Sequence, residues 1–230
     1  MRPKLILSWS SGKDSAFALH ALRLAETHDI VGPLTTVNQV HDRVAMHAVR
    51  RELLRAQARA VGLPLIEVDL PYPCSNDDYE ARMRGFVAHA LALGVSAVAF
   101  GDLFLEDVRA YRLRQLADTG LTPVFPLWGK PTHALAREMI ASGLQAYLTC
   151  VDPKQLDKRF AGRAFDARLL AELPAEADPC GERGEFHTFV WNGPMFMEPV
   201  RVVLGEVVER DGFVFADLRP SPAPEPENAG

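Results

Sequence analysis

Along the first half of the chain, apolar residues gather in short β-rich runs separated by segments with helical spacing. "KLILSW", "GPLTTVN", "LPLIEVDL", "VSAVAFGD" and "LTPVFPLW" each read as a strand, and each is followed by apolar positions three and four residues apart. This alternation is βαβ grammar, and it predicts an α/β fold with a Rossmann-like, five-stranded parallel sheet. Helices are expected from about Ala48 to Val61, Asp77 to Leu93 and Glu106 to Asp118. They close at Gly62, Gly94 and Gly120, where a left-handed cap favours glycine. After Trp128 the pattern loosens. A helix near Thr132 to Ser142, a strand "LQAYLTCVD", a loop-rich stretch through Pro179, then "EFHTFVWNGPMF" and the hairpin-like "VRVVLGEVVERDGFVFADL" predict a smaller α+β unit. The expected boundaries are 1–129 for the larger unit and 130–218 for the smaller. Residues 219–230, "RPSPAPEPENAG", are expected to form a disordered tail.

Composition narrows the partners. At 230 residues the chain can bury a sizeable core, and 48% apolar residues, 24% charged residues and a net charge of -5 describe an ordinary soluble protein. A mild acidic excess gives no general attraction to nucleic acid or anionic membrane. No apolar run approaches the roughly 18 residues that would span a bilayer, and the N-terminal run is too short for a signal peptide, so a cytoplasmic location is expected. Cys74, Cys150 and Cys180 are widely spaced, which suggests neither a disulfide framework nor a CxxC pair. The segment "VWNGPMFM" is apolar enough to serve as core or as an oligomer interface.

Two stretches carry candidate chemistry. The first is "SWSSGKDS", Ser8 to Ser15, between the first strand and a helix. A Walker A loop would need glycine at position 7 and a Ser or Thr after the lysine; Leu7 and Asp14 stand there instead. What remains is a short turn through Ser10, Ser11 and Gly12 whose amides, with the helix N-terminus, can converge on an anion. Asp14 either caps the helix or helps hold a magnesium ion. The second stretch is "DPCGERGEFHTFVWNGPMF", Asp178 to Phe196, which sets Glu182, Glu185 and His187 within six residues of one another. On a strand, Glu185 and His187 would share a face, ready to bind a cation or shuttle protons; the alternative is a polar, solvated edge strand. Zinc is less suited, because no HExxH is present and Cys180 lacks a near partner at ligand spacing. Asp102 leaves the fourth strand at its carboxyl end, where open α/β sheets place ligands, or else caps the next helix. Arg50, Arg51, Arg55 and Arg59 form a basic helix face, read as solvated, and His47 as a packing or capping residue.

"SSGKDS" resembles the SGGxDS loop of the PP-loop, or N-type ATP pyrophosphatase, superfamily, with Ser11 in place of its first paired glycine. "CGERGEFHT" resembles the CGExGE(Y/F)xT signature of diphthine-ammonia ligases. The likeness extends through "RVAMHAVRRELLRAQARAVGLPLIEVDLP", "FGDLFLEDVRAYR" and "PVFPLWG". The resemblance implies a nucleotide-binding domain facing a smaller domain across a cleft. It also implies an ATP- and Mg²⁺-dependent reaction in which a carboxylate is adenylated and ammonia displaces AMP. The implied nucleotide set is Ser8, Ser10, Ser11, Gly12, Lys13, Asp14, Ser15, Asn38, Gly101 and Asp102, with Asp14 as a magnesium ligand. The implied catalytic set is Lys13, Asp14, Glu182, Glu185 and His187, and the implied substrate contacts are Arg109, Gly181, Glu182, Gly184, Glu185 and Thr188. The acyl substrate would be a translocation factor bearing diphthine, or a small carboxylic acid. Other PP-loop reactions fit less well: base thiolation calls for cysteine pairs and a basic surface, and glutamine use calls for a glutaminase partner.

Overall fold

A computed structural model describes residues 1–40, 42–44 and 49–221 of the chain; His47 and most of the expected tail lie outside the described residues. Five parallel strands form the larger sheet: β1 (Lys4–Ser8), β2 (Asp29–Asn38), β4 (Ile66–Leu70), β5 (Val95–Ala99) and β6 (Thr122–Val124). Their order is β4-β2-β1-β5-β6, and the two-residue β3 (Arg43–Val44) adds antiparallel to the end of β2, pairing Arg43 with Asn38. Helices α1 (Lys13–Ala25), α2 (Arg51–Ala60), α3 (Asn76–Ala92) and α4 (Glu106–Leu116) connect them. The central strand is buried on both faces, as a parallel sheet covered by helices requires: Leu5, Ile6 and Leu7 are at most 1% exposed.

The smaller sheet is antiparallel. It comprises β7 (Gln145–Val151), β8 (Phe186–Asn192), β9 (Val202–Arg210) and β10 (Phe213–Pro220), in the order β8-β7-β10-β9. Helix α5 (Thr132–Ala141) precedes β7 in the chain, and α6 (Ala167–Glu172) lies between β7 and β8. The expected hairpin forms at Asp211-Gly212, whose φ values of 53° and 80° are those of the primed turn that Asp-Gly favours. One hydrophobic cluster runs through both sheets, joining Leu7 and Phe17 to Leu148, Phe186 and Phe189. A second fills the space under α3, around Ile6, Phe86 and Val98. Within "VWNGPMFM", Met195 belongs to the core and Met197 is exposed.

Three details depart from expectation. Helix α2 begins at Arg51, because Arg50 takes an extended backbone and bridges Arg43. Strand β10 extends to Pro220, two residues into the expected tail. The basic face is solvated only in part: Arg55 and Arg59 are exposed, but Arg51 and Arg55 clamp Glu67 on β4, Arg51 also reaches Asp69 at 2.9 Å, and Arg50, just before α2, crosses to Asp217 on β10. Among the described residues no helix is long and apolar enough to cross a membrane.

Candidate active site

The Ser8–Ser15 loop leaves the carboxyl end of the central strand and opens α1, as open α/β sheets place their ligand sites. It is stitched to β8. The Ser11 carbonyl accepts from Val190 N at 3.0 Å, and Lys13 N donates to Thr188 Oγ1 at 3.0 Å. Gln57, fully buried on α2, donates to the carbonyls of Ser11 (3.0 Å) and Val190 (2.6 Å) while accepting from Trp9 Nε1. Gly101 packs so closely on the first turn of α1 that an added Cβ would lie 2.8 Å from the Asp14 carbonyl carbon. Three loop amides, of Ser10, Gly12 and Lys13, are occupied by the hydroxyls of Ser15, Ser10 and Thr188.

Ser11 takes a backbone conformation that favours glycine. Its φ is +70°, and its wholly buried Oγ has no hydrogen-bond partner among the described residues. Ser11→Gly removes both burdens, partly offset by the greater freedom of an unfolded glycine. The expected result is a gain of about 1 kcal/mol, read as a raised midpoint in denaturant unfolding.

Lys13 is the centre of the cluster. Its side chain is 3% exposed and lies between the rings of Phe186 and Phe165, 5.5 and 5.8 Å from their centroids. Its Nζ donates to both Asp14 oxygens, at 3.0 and 2.9 Å, and to the carbonyl of Cys180. Burial pulls its pKa down, but Asp14, together with Cys180 and Glu182, more than offsets that and leaves the lysine protonated. Burial likewise pushes the Asp14 carboxyl up, against the pull of Lys13.

The 178–185 loop is held by two internal carboxylates. Glu185, 2% exposed, accepts the amides of Asp178 (2.8 Å) and Arg183 (3.0 Å). Asp178 accepts the amides of Cys180 (2.9 Å) and Glu182 (3.4 Å) and the hydroxyl of Thr132 (2.7 Å). Gly181 has φ +66°, and a Cβ there would lie 2.7 Å from the Phe186 carbonyl oxygen, so the turn accepts only glycine. The loop presents Glu182, whose Oε1 accepts from Leu103 N at 2.8 Å, just beyond β5. Burial pushes Glu182 up to about 7, with the charges of Asp14 and Asp102 adding to it against the Leu103 amide and Lys13. Burial also raises Asp102, whose carboxylate meets Arg112 at 3.4 Å on α4 and does not cap that helix. His187 is pulled down to about 4 by burial and by Lys13, so its ring is neutral near pH 7. Burial lifts the Cys180 and Cys150 thiols to about 12 and about 11, which leaves both as thiols.

Residues 3–121 match the family model for the diphthamide synthase N-terminal domain, and residues 131–216 that for the diphthamide synthase C-terminal domain. The chain belongs to the diphthamide synthase family. It is 27% identical to the diphthine–ammonia ligase of Danio rerio, over 91% of this chain and 90% of that one. The same identity holds against the Homo sapiens enzyme of that name, over 91% and 86%. For the Schizosaccharomyces pombe protein of that name it is 27% over 87% of this chain, which spans 36% of that longer protein.

In this family member the structure thus brings Lys13, Asp14, Asp102, Glu182 and His187 into one electrostatic neighbourhood. Glu185 and Thr188 lie beside it with their side-chain oxygens engaged by backbone amides. Arg109 packs elsewhere, on Trp128 (4.8 Å) and Phe125 (5.5 Å). Asn38 stands at the carboxyl end of β2, with its Oδ1 accepting from Val40 N. Gln57, Asp178 and Phe165 were missed by sequence reasoning. Only Gln57 left a signal, as a lone amide on the apolar stripe of a helix. Among the described residues no three His, Cys, Asp or Glu side chains converge closely enough to hold a metal ion unaided. The arrangement suits Mg²⁺ in its usual manner, carried in by phosphates and steadied by one or two carboxylates.

Proposed function

We propose that the chain is an AMP-forming amide ligase of the diphthine–ammonia ligase type, with its reacting centre between the Lys13 loop and the 178–185 loop. The observation that carries the reading is Lys13: a buried, protonated ammonium at the head of α1, among carboxylates drawn from α1 (Asp14), from beyond β5 (Asp102) and from the loop that leads into β8 (Glu182). A substrate carboxylate attacks the α-phosphorus of ATP, the α,β phosphoanhydride bond breaks, and pyrophosphate leaves. Ammonia then attacks the acyl carbon, AMP departs with the C–O bond electrons, and one proton is released. Lys13 and the α1 N-terminus stabilise charge on the phosphates, as preorganised donors do. Mg²⁺ would neutralise the leaving pyrophosphate, with Asp14 and Asp102 as the carboxylates to steady it. Asp14, Ser10, Gly12 and Ser15 shape the phosphate end of the nucleotide site. Gly101 and Asp102 border it, and Asn38 marks its far edge. Glu185 and Thr188 act by position, fixing the loop and the helix start.

Glu182 takes the proton from the attacking ammonium-derived nitrogen, since its carboxyl titrates near the working pH. A raised carboxyl is protonated below its pKa and competent as a base above it. Activity, measured at constant free ammonia, is therefore expected to rise through about pH 7 and level off, and Glu182→Gln is expected to abolish that limb. An unchanged limb in Glu182→Gln would remove this role.

The deciding experiment supplies α-labelled ATP, Mg²⁺ and ammonium, with and without a translocation factor bearing diphthine. AMP and pyrophosphate that depend on that factor are the expected products. AMP that depends on a different carboxylic acid would keep the chemistry and change the substrate, whereas ADP would overturn adenylation.

A further inference from the structure

A cleft of about 210 Å³ lies between the β9–β10 hairpin and the corner formed by β3 and the Val49–Arg50 segment that leads into α2. Asp217, 15% exposed on β10, gathers arginines there. Arg50 grips it with two donors, Nη2 at 2.7 Å and Nε at 3.1 Å; Arg219 Nε lies at 3.2 Å and Arg43 at 3.4 Å. A fourth, Arg210, reaches across the same wall and lies over the Phe215 ring at 5.2 Å. Four arginines, Arg43, Arg50, Arg210 and Arg219, therefore line the cleft beside two carboxylates, Asp217 and Glu206, and Arg210 also meets the exposed Asp211 at 3.4 Å.

An ion pair that only tied the two sheets together would need one arginine for the carboxylate. A carboxylate offers about four acceptor sites, while the guanidiniums of Arg50 and Arg219 alone bring roughly ten N–H donors. Asp217 thus orients forks that it cannot satisfy, and a planar fork matches a carboxylate or phosphate. The remaining wall is apolar, with Val49, Val208 and Phe215 lining it. The cleft also sits at the ligand edge of the parallel sheet, since the pairing of Arg43 with Asn38 places this corner at the carboxyl end of β2.

We propose that this cleft is a second anion-binding site, distinct from the Lys13 loop, which takes a doubly charged oxyanion carried on an apolar or planar body. Phosphate esters and organic dicarboxylates share that chemistry. The site stands whatever reaction Lys13 supports.

The test follows the arginine Nε–H resonances of the full chain while phenyl phosphate, phthalate or inorganic phosphate is titrated in. Saturable shifts at Arg50, Arg210 and Arg219 are expected, with at least one of the two planar probes binding more tightly than inorganic phosphate. Whichever of the two binds tighter identifies the class. Arg210→Ala with Arg219→Ala should weaken binding about tenfold or more, as loss of two charge-assisted contacts implies. Val208→Glu, which plants a carboxylate in the cleft and keeps every arginine, should block it, while Lys13→Met should leave it unchanged. No saturable shift with any probe overturns the proposal. So does binding that survives the arginine and Val208 variants, or binding lost in Lys13→Met.

Discussion

Lys13→Met should lower AMP release by about 10² to 10³-fold while leaving the fold intact. Methionine keeps the length and the apolar stem between Phe165 and Phe186, so the packing loss is small. What it removes is the buried ammonium, and with it the donor to Asp14 and to the Cys180 carbonyl. The Asp14 carboxylate is then left with less to oppose its burial and should take up a proton more readily. That prediction separates the lysine's chemical role from a structural one: a chemical role lowers kcat with little change in unfolding midpoint, while a structural one lowers the midpoint first. Full activity in Lys13→Met would remove the loop from the reaction.

Glu185→Ala should be the most destabilising single change in the site, by about 2–5 kcal/mol. It strands the buried amide of Asp178 and the part-buried amide of Arg183 and empties a buried side-chain volume, and an unsatisfied buried group alone costs about 1–3 kcal/mol. Glu185→Gln is the sharper probe. The amide keeps the volume and can accept one of the two bonds, but its NH₂ then confronts the other N–H. Denaturant unfolding should show a lower midpoint at unchanged slope for both variants, with the glutamine intermediate. Activity should fall with stability, because the loop that Glu185 clasps also carries Glu182. A glutamine variant as stable as the parent but inactive would instead make Glu185 a catalytic group.

What was legible in the sequence follows how far each signal reaches along the chain. The order of strands and helices was readable because period-2 and period-3.6 patterns are local, and Asp211-Gly212 announced its hairpin by backbone preference alone. The two motifs likewise placed Lys13 and Glu182 in view. The links between them were not readable: Lys13 meets Thr188 across 175 residues, and Arg50 meets Asp217 across 167. Nothing in a local pattern distinguishes an arginine that will face water, as Arg59 does, from one that will bridge two sheets, as Arg50 does, so all four arginines of that stretch read alike. Glu185 and Thr188 read as reactive because their types are reactive, whereas their oxygens are spent on backbone amides. The start of α2 was missed for a related reason, since the Arg43–Arg50 bridge competes with a helical turn that propensity alone would have continued.

The bond from Lys13 N to Thr188 Oγ1 means that the first amide of α1 already has an occupant from the protein's own chain. Any anion that claims this amide must evict the Thr188 hydroxyl, and its apparent affinity is discounted by the free energy of that bond. Linkage makes the discount reciprocal. A ligand that draws β8 away from the loop strengthens anion binding there, and an anion in the loop loosens β8 by the same factor. Anion binding at the loop and the seating of β8 are then coupled through this hydroxyl, alongside the Val190–Ser11 and Gln57 bonds, and Thr188→Val is expected to weaken that coupling while raising the loop's intrinsic affinity for an anion.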